Sequence, residues 1–373
     1  MTATRRPDDL AHYLQLMVAH GASDLFLSAG TPAALKVQGV VRRLPEPPLE
    51  STHTQQLAYS VMRETQIRGF EATLECDLAI ALPGLGRFRV NVFRQRGDVA
   101  VVVRHINSRI PSLDQLKLPP MTKKLALLKR GLVLVVGAAG SGKSTTLAAM
   151  IDHRNRNASG HILTVEDPME FEHSHGSCIV DQREVGLDTQ SFDEALRHAM
   201  REAPDVIMIG EIRDRQTMQH ALAYAETGHL CMSTLHANNA NQAIQRILNF
   251  FPETAHKQIL MDLSLNLKGV IGQRLIRGQT EKLVPAVEVM LLSPYVADLI
   301  QKGQTDEIKD AMARSNEVGM CTFDQSLYAL FAQGELSAEQ AIEHADSRTD
   351  LSLRIRLQHG QPPDASALRM SPD

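Results

Sequence analysis

The sequence predicts an α/β protein. A small α+β domain comes first, a core of alternating strands and helices follows, and a helical region closes the chain. Three observations predict this. Between Asp77 and Ile106 apolar and polar residues alternate with period two around Pro83-Gly84-Leu85-Gly86, which describes antiparallel hairpins. Between Leu132 and Ser233 apolar strand-like runs alternate with helical patterns, the rhythm of a mostly parallel sheet. From Ala240 onward helical periodicity dominates, with one strand-like piece at 283–292.

Taken in order, residues 8–20 read as an amphipathic helix with Leu10, Tyr13, Leu14, Met17 and Val18 at helical spacing and Gly21 just past its end. Residues 23–44 contain two short strand-like runs, broken at Gly30-Thr31-Pro32 and at Gly39. After a break at 45–48, residues 52–70 read as a helix. The hairpin segment closes a first domain over 1–105, and the proline-bearing stretch 106–120 reads as a linker. The core domain then spans 121–357. It holds strands at 132–136, 161–165, 206–209 and 230–233, and helices at 121–129, 144–150, 192–201 and 215–226. The polar, Pro-containing tail 358–373 reads as disordered. Two domains suit a 373-residue chain at about 150 residues per domain.

The chemistry concentrates where the first core strand ends. Gly137, Ala138, Ala139, Gly140, Ser141, Gly142, Lys143 and Ser144 fit the pattern G-x-x-x-x-G-K-[ST], with Thr145 next. Glycines let the backbone wrap a phosphate without Cβ clashes, and their N–H groups form an anion nest. The helix that follows turns its positive end on the same phosphates. Lys143 then reaches the β/γ-phosphates and the Ser144 hydroxyl ligates Mg²⁺. This stretch is therefore expected to bind a nucleotide, read as ATP with Mg²⁺.

Each later core strand also ends in a reactive cluster: Glu166-Asp167-Pro168, Gly210-Glu211-Ile212 and His236-Ala237-Asn238. In a parallel sheet these ends share one edge and face the ligand. A carboxylate there holds Mg²⁺ or orients a hydrolytic water. We assign Glu166 to the water and Glu211 to the metal, with the exchanged assignment left open. Gly210 stands where an acid commonly precedes the glutamate. His236 is expected to sense the γ-phosphate.

Composition excludes several classes. No apolar run approaches the roughly 18 residues needed to span a bilayer, and no signal-peptide core is visible at the N-terminus, so a cytoplasmic protein without direct membrane insertion is expected. The four cysteines are far apart, which argues against a zinc knuckle or a disulfide framework. A net charge of −4, 4% aromatics and no Trp leave no footprint for nucleic acid.

Four signatures in order give the chain a family resemblance: GAAGSGKST, ILTVEDPMEF, APDVIMIGEIRD and TGHLCMSTLHANNANQAIQRI. They resemble the secretion ATPase superfamily, and within it the type IV pilus retraction ATPases of the PilT/PilU family. GASDLFLSAGTPAALKVQGVV resembles the opening of that family's PAS-like domain. The segments CIVDQREVGLDT, LHANNANQA, MDLSLNLK, GMCTFDQSLY and DLSLRIRL are more similar to the PilU branch. The tetracysteine subdomain usual in assembly and type II secretion ATPases is absent.

The resemblance implies a PAS-like N-terminal domain, a RecA-like P-loop NTPase core and a homohexameric ring, with a PilT-type motor and an inner-membrane pilus platform protein as partners. It also implies that Arg87, Arg89 and Arg104 supply charge to the γ-phosphate. A solvated basic strand is the plain alternative for Arg87 and Arg89. Two further readings stand beside the retraction motor: a nucleotide-binding accessory ring with little hydrolysis of its own, and a pilus-assembly or type II secretion ATPase. A RecA-like nucleic-acid motor is disfavoured by the acidic charge.

Overall fold

In the computed structural model, residues 9–37, 39–106, 109–280, 282–315 and 317–358 are described. The chain divides into two compact units. One comprises the residues up to Ile110 together with Asp167–Ser174 and Arg183–Ser191, and the other holds the remainder. The chain therefore crosses between units five times, where a linear reading expected one crossing. Residues from Pro111, within the expected linker, group with the second unit, and Leu113 and Leu118 are buried there.

In the first unit a helix at Leu10–Ala19 starts where the Asp9 carboxylate accepts from the Ala11 N–H at 3.0 Å. It ends before Gly21, whose φ of +60° only glycine adopts without cost. Leu10, Tyr13, Leu14 and Met17 are buried, and Val18 is half-buried. Three strands follow where two were expected: β1 (Asp24–Leu27), β2 (Ala34–Val37) and β3 (Val40–Arg43). The single helix expected over 52–70 is two, Ser51–Tyr59 and Glu64–Thr73. The second starts afresh because the Gln66 side chain accepts from the Arg63 N–H at 2.9 Å.

The hairpins are β4 (Glu75–Leu82), β5 (Gly86–Gln95) and β6 (Asp98–Ile106). Together the six strands form one antiparallel sheet in the order β3-β2-β1-β6-β5-β4. Its inner face turns Phe88, Val90 and Val92 of β5 and Val101 and Val103 of β6 towards Leu14, Leu57 and Phe70.

The second unit is built on β7 (Gly131–Val136), β8 (Gly160–Glu166), β9 (Cys178–Glu184), β10 (Val206–Ile209), β11 (Leu230–Leu235), β12 (Leu267–Arg277) and β13 (Leu283–Leu291). Their order is β13-β12-β7-β11-β10-β8-β9. The five strands from β12 to β8 pair in parallel, and β13 runs antiparallel to β12. Every residue of β7, β10 and β11 is buried, as in a sheet covered on both faces.

Two strands escaped the sequence reading. The sequence marks the β9 segment only by its family likeness. β12 fell within the stretch read as helical, because Gly269 and Gly272 interrupt its apolar run. Those glycines make room for neighbours: a Cβ at Gly269 would sit 3.1 Å from the Leu125 methyls, and one at Gly272 would sit 3.0 Å from the Phe323 ring. The tail expected at 358–373 lies, from 359 on, outside the described residues.

Candidate functional site

The glycine-rich loop connects β7 to a helix at Lys143–Asn157, longer than the 144–150 expected. Gly137, Gly140 and Gly142 have φ of +156°, +75° and +88°. Two of them are also closely approached. A Cβ at Gly137 would lie 2.5 Å from the Gln273 carbonyl oxygen, and one at Gly142 would lie 2.9 Å from Gln273 Nε2. Gln273, on β12, therefore packs under both ends of the loop, and its Oε1 accepts from Thr146 Oγ1 at 2.6 Å. Neither Gln273 nor Thr146 was singled out in the sequence, since nothing local to β12 links it to a loop 130 residues earlier.

Lys143 is buried, and its Nζ donates to the carbonyls of Gly137 at 3.0 Å and Ala138 at 2.9 Å. These bonds draw the ammonium into the hollow of the loop. Ala138, Ala139 and Gly140 form its exposed tip, and Ser144 and Thr145 are half-buried on the first helical turn.

The strand ends converge as the parallel order requires. Leu235 pairs with Val136, and Ile209 pairs with both Ser233 and Val165. Glu166, Glu211 and His236 consequently leave the same edge as the loop. Thr234 Oγ1 donates to the Gly210 carbonyl at 2.6 Å and the Ile212 N–H donates to the Thr234 carbonyl at 3.0 Å, which locks the β10 and β11 ends together.

Glu166 is buried, and its Oε1 accepts from Thr164 Oγ1 at 2.8 Å and from Gln182 Nε2 at 3.1 Å. Glu211 Oε1 lies 2.9 Å from His236 Nε2, and Glu211 Oε2 accepts from Arg213 Nε at 2.6 Å. A carboxylate bound in this way fixes the imidazole's orientation. The glycine at 210 has a steric cause, because a Cβ there would stand 3.2 Å from Glu166 Cα.

Arg87, Arg89 and Arg104 belong to the first unit. Arg89 is paired across strands with Arg104, and Arg87 stands two residues away, so all three share the sheet face opposite Phe88 and Val90. Arg89 and Arg104 have acidic partners. Arg104 Nε donates to Asp24 at 2.9 Å, while Arg89 lies 3.8 Å from Asp77 and 3.9 Å from Glu184. Burial pushes the Glu184 carboxyl up from its ordinary value, while Arg89 and the Met169 N–H pull it down.

Among the described residues no His/Cys/Asp/Glu cluster holds a metal by itself, and no helix is long and apolar enough to cross a membrane. The hydroxyl of Ser144 and the carboxylate of Glu211 are hard oxygen donors. They suit a cation that takes its other oxygens from phosphates and water.

Comparison with known proteins bears on this arrangement. The family model described as "Type II/IV secretion system protein" matches residues 7–333. The chain is 55% identical over 356 residues to the type IV pilus ATPase PilU of Pseudomonas aeruginosa, covering 95% of this chain and 93% of that one. It is 43% identical to the type IV pilus retraction ATPase PilT of the same organism, over 90% of this chain and 98% of that one. The crystal structure of the pilus retraction motor PilT with bound ADP superposes with a TM-score of 0.85 at 40% identity, covering 92% and 98%. The chain thus belongs to the type II/IV secretion ATPase family, as a PilT/PilU-type pilus ATPase.

Proposed function

We propose that this protein hydrolyses ATP to drive retraction of a type IV pilus. One observation carries the reading: a lysine-bearing glycine loop and three reactive residues, Glu166, Glu211 and His236, leave the same edge of one parallel sheet. The loop N–H groups and Lys143 bind the phosphates. Glu166, held by Thr164 and Gln182, takes the proton of the attacking water, and His236, oriented by Glu211, responds to the γ-phosphate. Mg²⁺ suits Ser144 and Glu211, where it would neutralise phosphate charge.

Arg87, Arg89 and Arg104 would add positive charge to the transition state, which in other NTPases is worth roughly 10³–10⁵ in rate. The ADP-bound PilT neighbour supports nucleotide as the ligand. We extend the reading to a homohexameric ring that works with a PilT-type partner. In the same reading the ring is cytoplasmic and recruited to an inner-membrane platform protein. The six-stranded antiparallel sheet supports the PAS-like reading of the first unit.

Phosphate release from MgATP by the purified chain, with Lys143→Ala as the blank, tests the proposal. Turnover present in the wild type and lost in the variant is the expected result. The higher identity to PilU than to PilT favours a second reading, an accessory ring that binds nucleotide and docks on the motor. Intact ATP binding without turnover would select it.

A further inference from the structure

On the sheet face opposite Phe88, Arg104 is committed to a partner and Arg89 is not. Arg104 Nε donates to Asp24 Oδ1 at 2.9 Å. Arg89 stands 3.8 Å from Asp77 Oδ1 and 3.9 Å from Glu184 Oε1, near enough to feel both charges and too far for hydrogen bonds. Among the described residues its guanidinium donates no hydrogen bond, so its N–H groups keep their donor capacity.

The two carboxylates differ in kind. Asp77 is half exposed and already accepts from Asn91 Nδ2 at 3.2 Å. Glu184 is 1% exposed, where salt screens its charge little. Its Oε2 accepts from the Met169 N–H at 3.4 Å, while Oε1, the oxygen that approaches Arg89, has no hydrogen-bond partner. An oxygen left this way costs stability, and a catalytic task is one reason a fold retains it.

The backbone fixes that carboxylate in place. The Glu184 carbonyl accepts from the N–H groups of Leu187 at 3.2 Å, Asp188 at 2.8 Å and Thr189 at 3.3 Å. The Glu184 N–H donates to Asp188 Oδ2 at 2.9 Å, so both sides of its backbone are bound into one turn. Arg89 is anchored in β5, paired with Ala79 of β4 and Arg104 of β6. Like charges opposed across two strands repel, and each arginine therefore needs its own counter-charge. Asp24 supplies it to Arg104, and Glu184 with Asp77 supplies it to Arg89.

We propose that Glu184 is a positioning residue for Arg89: its buried charge holds the guanidinium in place, and its distance leaves the donors free for the phosphate being cleaved. A closer carboxylate would work against this, since a donor spent on it must be recovered before it serves a phosphate. Charge arranged in advance acts on the transition state more than on ground-state binding. The proposal rests on the reading above that Arg89 adds charge to the transition state, and the experiment separates the two.

Titrating the full-length protein with MgADP, alone and with aluminium fluoride, gives two affinities for each variant. The fluoride complex mimics the phosphoryl group in transfer, so their ratio reports transition-state binding. Glu184→Gln keeps the shape and an acceptor for Met169 and removes the charge. It should lower the preference for the fluoride complex about tenfold or more, with ADP affinity unchanged. Combined with Arg89→Ala it should add no further loss, because the group it positions is gone. Should Glu184→Gln lose ADP binding as well, Glu184→Asp repeats the test with the charge drawn back by one methylene. An unchanged preference in the variant that binds ADP overturns the proposal. So does an equal further loss in the Arg89→Ala background, or loss of ADP binding in both Glu184 variants, since Glu184 then serves the fold. If Arg89→Ala alone leaves the preference unchanged, the arginine reading itself fails.

Discussion

At the residue scale, the assignment of Glu166 and Glu211 turns on their partners. Glu166 is buried and bonded to a hydroxyl and an amide, whereas Glu211 is bound by the basic groups of His236 and Arg213. A carboxylate already committed to His236 and Arg213 has less basicity to spare, and on that ground we propose Glu166 for the water. Glu166→Gln should retain ATP binding and lower turnover by about 10²–10⁴-fold, the usual worth of a general base. Comparing ATP affinity with phosphate release in that variant checks the assignment.

Gly210→Asp would restore the common acid of the motif and still fail. Its Cβ would crowd Glu166 Cα at 3.2 Å, so turnover should drop while ATP affinity holds, as kcat and KM will show.

Glu288 is another matter. It is buried among Arg274, Lys309 and Asp346, its Oε1 accepts from the Ala240 N–H at 2.8 Å, and burial pushes its carboxyl up to about 7 from 4.5. The native state thus holds this proton when the unfolded chain has released it. Its stabilisation is complete below the unfolded value and is lost as pH rises through about 7. The Tm of wild type should fall more steeply than that of Glu288→Gln between about pH 5 and about pH 8.

At the scale of elements, legibility followed the locality of the signal. The glycine loop, the strand at 206–209 and the helix at 215–226 were readable because a motif or an uninterrupted period marks each of them. β12 was not, because its glycines answer to Leu125 and Phe323, side chains more than fifty residues away in sequence on either side. Its loss hid Gln273 under the loop, which depends on strand placement. Gly272→Ala tests the cause of that glycine. The new methyl meets the Phe323 ring at 3.0 Å and the Glu288 Cβ at 3.2 Å, and overpacking of this kind costs about 1–3 kcal/mol in urea unfolding.

At the scale of the whole molecule, the sequence reading drew a boundary near residue 105, but it could not see that 167–174 and 183–191 group with the first unit. The reason is visible at Glu184, which meets the Met169 N–H at 3.4 Å and lies 3.9 Å from Arg89 of β5. Contacts between segments so far apart in sequence leave no local period to read. A protease site engineered between Ile110 and Pro111 should cut the chain and yet leave both fragments eluting together on size exclusion. The second fragment carries 167–174 and 183–191, whose packing partners lie in the first. Separate elution would contradict that grouping.

The five crossings of the chain have a mechanical meaning. Two bodies joined by one tether can transmit tension only through that tether and whatever noncovalent grip they have. Here covalent backbone passes back and forth, so a pull on either body is shared among several peptide connections. One of them begins directly at Glu166, the residue proposed to govern hydrolysis.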